Sequence, residues 1–159
     1  MKLVISSSEL LKGIMAVSKA IPAKSSLPIL ENFLFDLHGN YLEITASDSE
    51  LTLRTRVEVE SAESEGKIAV PARHVQDLLK EIPDQPIPIQ TIKENYFECS
   101  WMGGASTLPY FPADEYPQIT TTDETAVEVK FPAQTLTCEL YLEAGIRACE
   151  IGYVLADRD

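Results

Sequence analysis

The same order of predicted elements occurs twice along the 159 residues, and this duplication constrains the fold more than any other feature. Each half reads as a strand, an amphipathic helix and three further strands joined by short turns. The predicted ranges are 2–5, 9–19, 27–37, 41–46 and 51–59 in the first half, and 67–70, 73–82, 87–92, 96–101 and 105–108 in the second. Because the turns are too short for a parallel crossover, we expect antiparallel pairing.

Both predicted helices carry a single apolar stripe that needs a surface to cover. The stripe residues are Leu10, Leu11, Ile14 and Val17 in the first helix, and Val75, Leu78, Leu79 and Ile82 in the second. Ser8 is the predicted N-cap of the first helix, and the acidic stretch 61–66 is predicted to be a loop. The sequence therefore predicts an α+β fold, in which a duplicated β-α-β-β-β unit forms an antiparallel sheet with two helices side by side on one face.

Composition excludes several classes of protein. Hydrophobic residues make up 45% of the chain and charged residues 24%, a balance typical of a folded globular protein. No run of eighteen apolar residues and no signal-peptide core occur, so we expect no membrane segment and a cytoplasmic location. The three cysteines, Cys99, Cys138 and Cys149, lack a C-x-x-C spacing, so neither a disulfide framework nor a metal site is predicted. Cys99, in a strand-like run, is predicted to be a packing residue.

Catalytic motifs are absent from the sequence, and no cofactor is predicted. One acid–base combination, Asp48, Glu50 and His74, leaves a small hydrolase or a binding module as the alternative function. The segment around Asp48 has the composition of a turn, in which an aspartate side chain accepts hydrogen bonds from nearby backbone amides. Turn formation therefore explains Asp48 better than catalysis does.

The distribution of basic residues matters more than the net charge. At −12, the charge argues against nucleic acid as a partner, because duplex DNA needs cations where its phosphates lie. However, Lys12 and Lys19 are seven residues apart on the first predicted helix, on the side opposite its apolar stripe. Arg73 and Lys80 have the same spacing and the same placement on the second helix. Lys24, just beyond the first helix, extends this basic rim.

Two interpretations of these helical cations remain open. Solvent-facing lysines commonly do no more than keep a helix hydrated, and Asp77 and Glu81 dilute the positive charge of the second helix. The same arrangement on both halves of a duplicated unit favours a shared role. If that role is DNA binding, the contacts go to phosphates, ignore base sequence and weaken with salt.

Six short segments occur in an order and spacing that match a known family. They are Met1-Lys2-Leu3, Glu9-Leu10-Leu11-Lys12, Leu27-Pro28-Ile29-Leu30-Glu31-Asn32, Thr45-Ala46-Ser47-Asp48, Val70-Pro71-Ala72-Arg73 and Pro112-Ala113-Asp114-Glu115-Tyr116-Pro117. With these segments the chain resembles the bacterial sliding clamp, the beta subunit of DNA polymerase III, over about residues 1–136. The resemblance implies a DNA-clamp fold and a non-catalytic processivity factor of the replicative polymerase.

The resemblance also implies an assembly and its contacts. Full-length family members have three similar domains, and two subunits form a homodimeric ring whose helices face double-stranded DNA. In this chain, the DNA-contacting positions match Lys24 and Arg73, and the subunit-interface strand 105–110 includes Ser106 and Leu108. The implied partners are the replicative polymerase and the clamp loader. The family's partner-peptide pocket lies between the second and third domains, so we expect it to be absent from this chain.

The resemblance divides the chain into two parts. Residues 1–122 are predicted to form the N-terminal clamp domain, and residues 123–159 a truncated or divergent start of the second domain. In the second part, 127–136 is predicted to begin as a strand, and 136–148 has a broken apolar stripe suited to a marginal helix. From Thr137 onward the sequence departs from the family pattern. We therefore expect a monomer or a weak, non-native oligomer.

Overall fold

The computed structural model describes residues 1–93 and 95–117, so the segments predicted at 127–136 and 136–148 lie outside the described residues. The elements, in chain order, are β1 (Lys2–Ser6), α1 (Ser7–Val17), β2 (Asn32–His38), β3 (Tyr41–Ser47), β4 (Thr52–Glu58), β5 (Ser61–Ser64), β6 (Gly66–Pro71), α2 (Ala72–Glu81), β7 (Pro86–Thr91), β8 (Tyr96–Trp101), β9 (Gly104–Pro109) and β10 (Phe111–Pro112). Short 3-10 helices occupy Ser18–Ala20, Pro28–Glu31 and Ala113–Glu115. The predicted β-α-β-β-β order is confirmed in both halves.

The strands form two five-stranded antiparallel sheets. The first sheet has the order β5-β1-β7-β8-β9 and the second sheet has the order β10-β6-β2-β3-β4. In each sheet, the first strand of one half pairs with the three-strand meander of the other half, because β1 pairs with β7 and β6 pairs with β2. Sequence alternation predicts which faces of a strand are buried but not which strands are neighbours, so the prediction did not separate the strands into two sheets.

The helices α1 and α2 pack against each other and against the inner faces of the sheets. Buried side chains from both helices and both sheets form one continuous core, to which the helices contribute Leu10, Ile14, Val17, Val75 and Leu79. Each fully buried side chain of this size contributes about 1.5–3 kcal/mol, so the two stripes hold the helices in place. The predicted α+β class with two adjacent helices is confirmed. Neither helix in the described part of the chain is long and apolar enough to span a membrane.

The two ends of α1 differ from the prediction. The N-cap is Ser6 and not Ser8, because Ser6 Oγ accepts a hydrogen bond from the backbone N–H of Glu9 at 3.4 Å. The residue at which α1 begins is fixed by Ser7, whose buried hydroxyl donates a hydrogen bond to the carbonyl of Pro83 at 2.9 Å. At its other end, α1 tightens into the 3-10 turn Ser18–Ala20, so Lys19 lies just beyond the α-helix.

Two segments have a different structure from the one predicted. Part of the acidic stretch 61–66 is the edge strand β5, which pairs with β1 and is held by a Lys2–Glu63 salt bridge of 2.8 Å. Edge strands are commonly short and charged, so hydrophobic alternation does not reveal them. In 27–37, the strand begins only at Asn32, because Pro28 starts a 3-10 turn. The Asn32 side-chain amide stabilises that turn by donating to the carbonyl of Ile29 at 2.9 Å.

Gly13 allows α1 to lie close to the second sheet. A Cβ atom at this position would stand 2.5 Å from Val57 Cγ2 and 3.2 Å from Ile44 Cδ1, well inside normal contact distance. Glycine costs a helix interior about 1 kcal/mol relative to alanine. The close approach to β3 and β4 explains why a glycine nevertheless stands in the middle of α1.

We expect Gly13→Ala to destabilise the protein by about 1–3 kcal/mol, because the added methyl group would push α1 away from β3 and β4. Higher helix propensity acts in the opposite direction, by about 1 kcal/mol. Urea unfolding measures the difference in the free energy of unfolding. Ala16→Gly, on the exposed side of the same helix, is the control and should cost about 1 kcal/mol. Stabilisation by Gly13→Ala would contradict the close packing of α1.

Candidate nucleic-acid interface

All five basic residues predicted to contact DNA are exposed. Lys12 lies on α1, Lys19 lies in the 3-10 turn that follows, and Lys24 lies in the next loop. Arg73 is in the first turn of α2 and Lys80 is in its last turn. Because the two helices pack against each other and turn their apolar stripes to the core, their opposite sides face solvent together. We name this side, with Lys12, Lys19, Arg73 and Lys80, the helical face.

Burial of the apolar stripes fixes how each helix is rotated. At 100° per residue, Lys12 lies about 180° around α1 from the buried side that Leu10, Ile14 and Val17 define. Arg73 and Lys80 lie within about 20° of each other on α2, and more than about 100° from its buried side. The periodicity that buries the stripes therefore also exposes the cations.

Lysine and arginine residues on the described strands, by contrast, each contact a carboxylate, and two of them share Glu43. The pairs are Lys2–Glu63 at 2.8 Å, Lys67–Asp36 at 2.7 Å, Arg54–Glu43 at 3.3 Å and Arg56–Glu43 at 3.0 Å. Within residues 1–93 and 95–117, Lys19, Lys24, Arg73 and Lys93 form no salt bridge, and the first three lie on or directly after the helices. Three of the four described lysines and arginines that form no salt bridge therefore lie on or directly after the helices.

The two remaining cations of the helical face are paired within their own helices. Lys12 contacts Glu9 and Lys80 contacts Asp77, in both cases a carboxylate three residues earlier in the chain. The sequence predicts acidic dilution of the second helix only, whereas the structure has the same pairing on both helices. An acid three residues before each lysine is the sequence signal that could have revealed it.

The alternative catalytic set is not assembled by any contact in the structure. Asp48 Oδ1 accepts hydrogen bonds from the backbone N–H of Glu50 at 3.0 Å and of Leu51 at 2.6 Å, so its carboxylate stabilises the β3–β4 turn as predicted. His74 is exposed on the first turn of α2. In the part of the chain that the structure describes, no three His, Cys, Asp or Glu side chains are grouped to hold a metal ion. A cavity of about 280 Å³ lies elsewhere, next to Leu27, Ile29 and Phe111.

The strand predicted to meet another subunit is an end strand. Among the described strands, β9 pairs only with β8, so its second edge carries backbone N–H and C=O groups without a strand partner. Leu108 stands opposite the buried Phe97, and Ser106 stands opposite the buried Cys99, so both point to the core side of the first sheet. Such an edge has the geometry for strand pairing with another chain.

Cys99 is a packing residue, as predicted. Its side chain lies in the core, and burial raises the pKa of the thiol to about 11. Because the thiolate is the nucleophilic form, a raised pKa suppresses reactivity at neutral pH. The buried thiol therefore has no features of a catalytic nucleophile.

Two β-α-β-β-β units that exchange their first strands, with adjacent helices carrying exposed cations, define a domain of the DNA-clamp class. Residues 1–120 match the family model described as the DNA polymerase III beta subunit, N-terminal domain. The chain therefore belongs to the sliding-clamp family, which its sequence motifs indicated. The roles of individual residues in DNA contact and subunit contact stay predictions.

Two similar proteins are much longer than this chain. A beta sliding clamp from Vibrio cholerae is 33% identical over 119 residues, which are 75% of this chain and 32% of that protein. A solved structure of a sliding clamp, the DNA polymerase III subunit beta from Pseudomonas aeruginosa bound to griselimycin, is 31% identical with a TM-score of 0.73. That match covers 79% of this chain and 34% of the other. This chain thus spans about a third of the length of these relatives.

One similar protein has a different kind of name. A stretch of 87 residues is 40% identical to a Trichomonas vaginalis protein described as a "Probable beta-eliminating lyase". The stretch makes up only 15% of that protein. A likeness confined to so small a part carries no argument for lyase chemistry in this chain.

We expect Cys99 to resist alkylation by iodoacetamide at pH 8 in the folded protein. With a pKa of about 11, only roughly a thousandth of the thiol is ionised at that pH, and burial blocks access as well. Mass spectrometry of tryptic peptides reports modification at Cys99 separately from Cys138 and Cys149. The same protein in urea is the control and should be alkylated at Cys99 within minutes. Rapid modification of the folded chain would show that Cys99 is not part of a closed core.

Proposed function

We propose that this chain acts as the N-terminal domain of a DNA sliding clamp and that its helical face contacts the phosphates of duplex DNA. The observation that carries this proposal is the division of the cations. Those on the strands are paired with carboxylates, whereas Lys19, Lys24 and Arg73 form no salt bridge with a described residue. Phosphate contacts of this kind position a protein on DNA without reading bases.

The number of cations limits the strength of the interaction. Five contacts from Lys12, Lys19, Lys24, Arg73 and Lys80 would give a slope of log affinity against log salt of at most about −4.5, at about −0.9 per contact. A single domain tested on its own does not enclose DNA, so a closed ring does not slow its dissociation. The expected binding is weak, independent of sequence and lost as salt rises.

The proposal extends to a non-catalytic role. We infer that the chain is not an enzyme and serves as a processivity factor of the replicative polymerase in the cytoplasm, with the polymerase and the clamp loader as partners. In a homodimeric ring, the open edge of β9 with Ser106 and Leu108 would meet the other subunit. We propose that residues 1–122 form the clamp domain and that residues 123–159 begin a second domain. The family match to residues 1–120 supports the extent of the first.

We expect the double substitution Lys24→Gln and Arg73→Gln to weaken binding to a fluorescein-labelled DNA duplex by about tenfold near 50 mM salt, because two phosphate contacts are removed. The salt slope should become shallower by up to about 1.8. Fluorescence anisotropy measures both quantities. Lys2→Gln/Arg56→Gln is the matched control, because it also removes two positive charges, one from β1 and one from β4, outside the helical face. Equal losses in the control, or no salt dependence, would contradict a phosphate-binding helical face.

A further inference from the structure

Both helices of the duplicated unit carry the same pair of charges. On α1, Glu9 Oε1 lies 2.5 Å from Lys12 Nζ, and on α2, Asp77 Oδ1 lies 3.7 Å from Lys80 Nζ. In each case the carboxylate belongs to the residue three positions before the lysine. All four side chains are at least half exposed, with 54% for Glu9 and 79% for Asp77. The pairs therefore lie on the surface and do not stabilise the core.

The acids are on the same side of their helices as the lysines. Three residues correspond to 300° of rotation, so each carboxylate is about 60° around the helix from its lysine. Glu9 is also held in position by its backbone, because its N–H donates to Ser6 Oγ at the N-cap. A phosphate that approaches Lys12 or Lys80 from solvent therefore meets a carboxylate already in contact with the same ammonium group.

We propose that Glu9 and Asp77 are internal competitors of DNA, which occupy Lys12 and Lys80 and so hold down the affinity of the helical face for the phosphate backbone. The inference rests on the proposed function and identifies residues that would tune it. A carboxylate and a phosphate are both oxygen anions that bind an ammonium group in the same way. Lys19, Lys24 and Arg73 lack such a competitor among the described residues and would make the primary contacts.

The size of the effect follows from the exposure of the pairs. Surface salt bridges are weak, so freeing one lysine should raise DNA affinity by only about two- to fivefold. Glu9 should matter more than Asp77, because its contact is shorter and its carboxylate is less exposed. The freed lysine would add a phosphate contact, so the salt slope should steepen by up to about 0.9 for each substitution.

The test is DNA binding by Glu9→Gln, Asp77→Asn and their combination in the full chain, measured by anisotropy on one labelled duplex between about 50 and 200 mM salt. Each substitution keeps the size of the side chain, and glutamine also suits the capping-box position of Glu9. Thermal unfolding of each variant checks that the fold is unchanged. We expect tighter binding and a steeper salt slope for Glu9→Gln, with a smaller gain for Asp77→Asn.

Glu63→Gln is the matched control. Glu63 also pairs with a lysine, Lys2, at 2.8 Å, and its loss changes the net charge by the same amount. However, that pair joins β5 and β1, and not the helical face. An equal gain in affinity from Glu63→Gln would mean that bulk charge is responsible, and it would overturn the proposal.

A double-mutant cycle separates competition from general repulsion. If Glu9 acts by occupying Lys12, the gain from Glu9→Gln should disappear in a Lys12→Gln background. If the gain persists there, Glu9 merely repels DNA and the proposal is wrong. A loss of binding in Lys24→Gln/Arg73→Gln without a gain in Glu9→Gln overturns only this inference. Absence of DNA binding in the unmodified chain and in Glu9→Gln/Asp77→Asn alike overturns the proposed function together with it.

Discussion

The pairing of β1 with β7 and of β6 with β2 holds the two halves of the molecule together. Without this pairing, the first strand of each half would not lie beside any three-strand meander. Exchange of the first strands gives both sheets members from both halves, so α1 starts from β1 in the first sheet and α2 starts from β6 in the second sheet. The helices then meet each other over a shared core, so the side-by-side arrangement of their exposed faces depends on backbone hydrogen bonds between the halves.

The strands and the helices differ in how their positively charged side chains are paired. Side chains that point away from the core on the strands include carboxylates and cations at matched positions, such as Glu43 between Arg54 and Arg56. Each lysine or arginine of the described strands is therefore in contact with a carboxylate. The helices present Lys19 and Arg73 without a carboxylate partner in the described part of the chain. A net charge of −12 is therefore compatible with a locally attractive surface, because attraction to a polyanion depends on charges within about a Debye length.

Sequence periodicity could predict the elements with strong local signals. Both helices were predicted within one or two residues at each end, since Leu10, Ile14, Val75 and Leu79 repeat at helical spacing and are buried. The spacing of the cations was predictable for the same reason. Long-range choices were not predictable. No local pattern identifies β5 as the partner of β1. Any of the three adjacent serines could cap α1 on local grounds, and the long-range hydrogen bond from Ser7 to Pro83 decides between them. The family is indicated by several short motifs that occur in a fixed order along the chain. Their order carries information about the topology that no single motif contains.

A surface that follows DNA needs attraction that is too weak to arrest it. Strong phosphate contacts lower the energy of one position on the backbone and thereby raise the barrier to the next, whereas exposed lysines and arginines that contact phosphates without a fixed geometry give a smoother energy profile. In this domain, the cations stand on long side chains on a solvated face, and two of the five already have a carboxylate nearby. Under the proposed function, weak attraction is thus built into the helices themselves, in both halves of the duplicated unit. On this view, the acidic residues beside the lysines are part of the DNA-facing surface and are not merely a dilution of its charge.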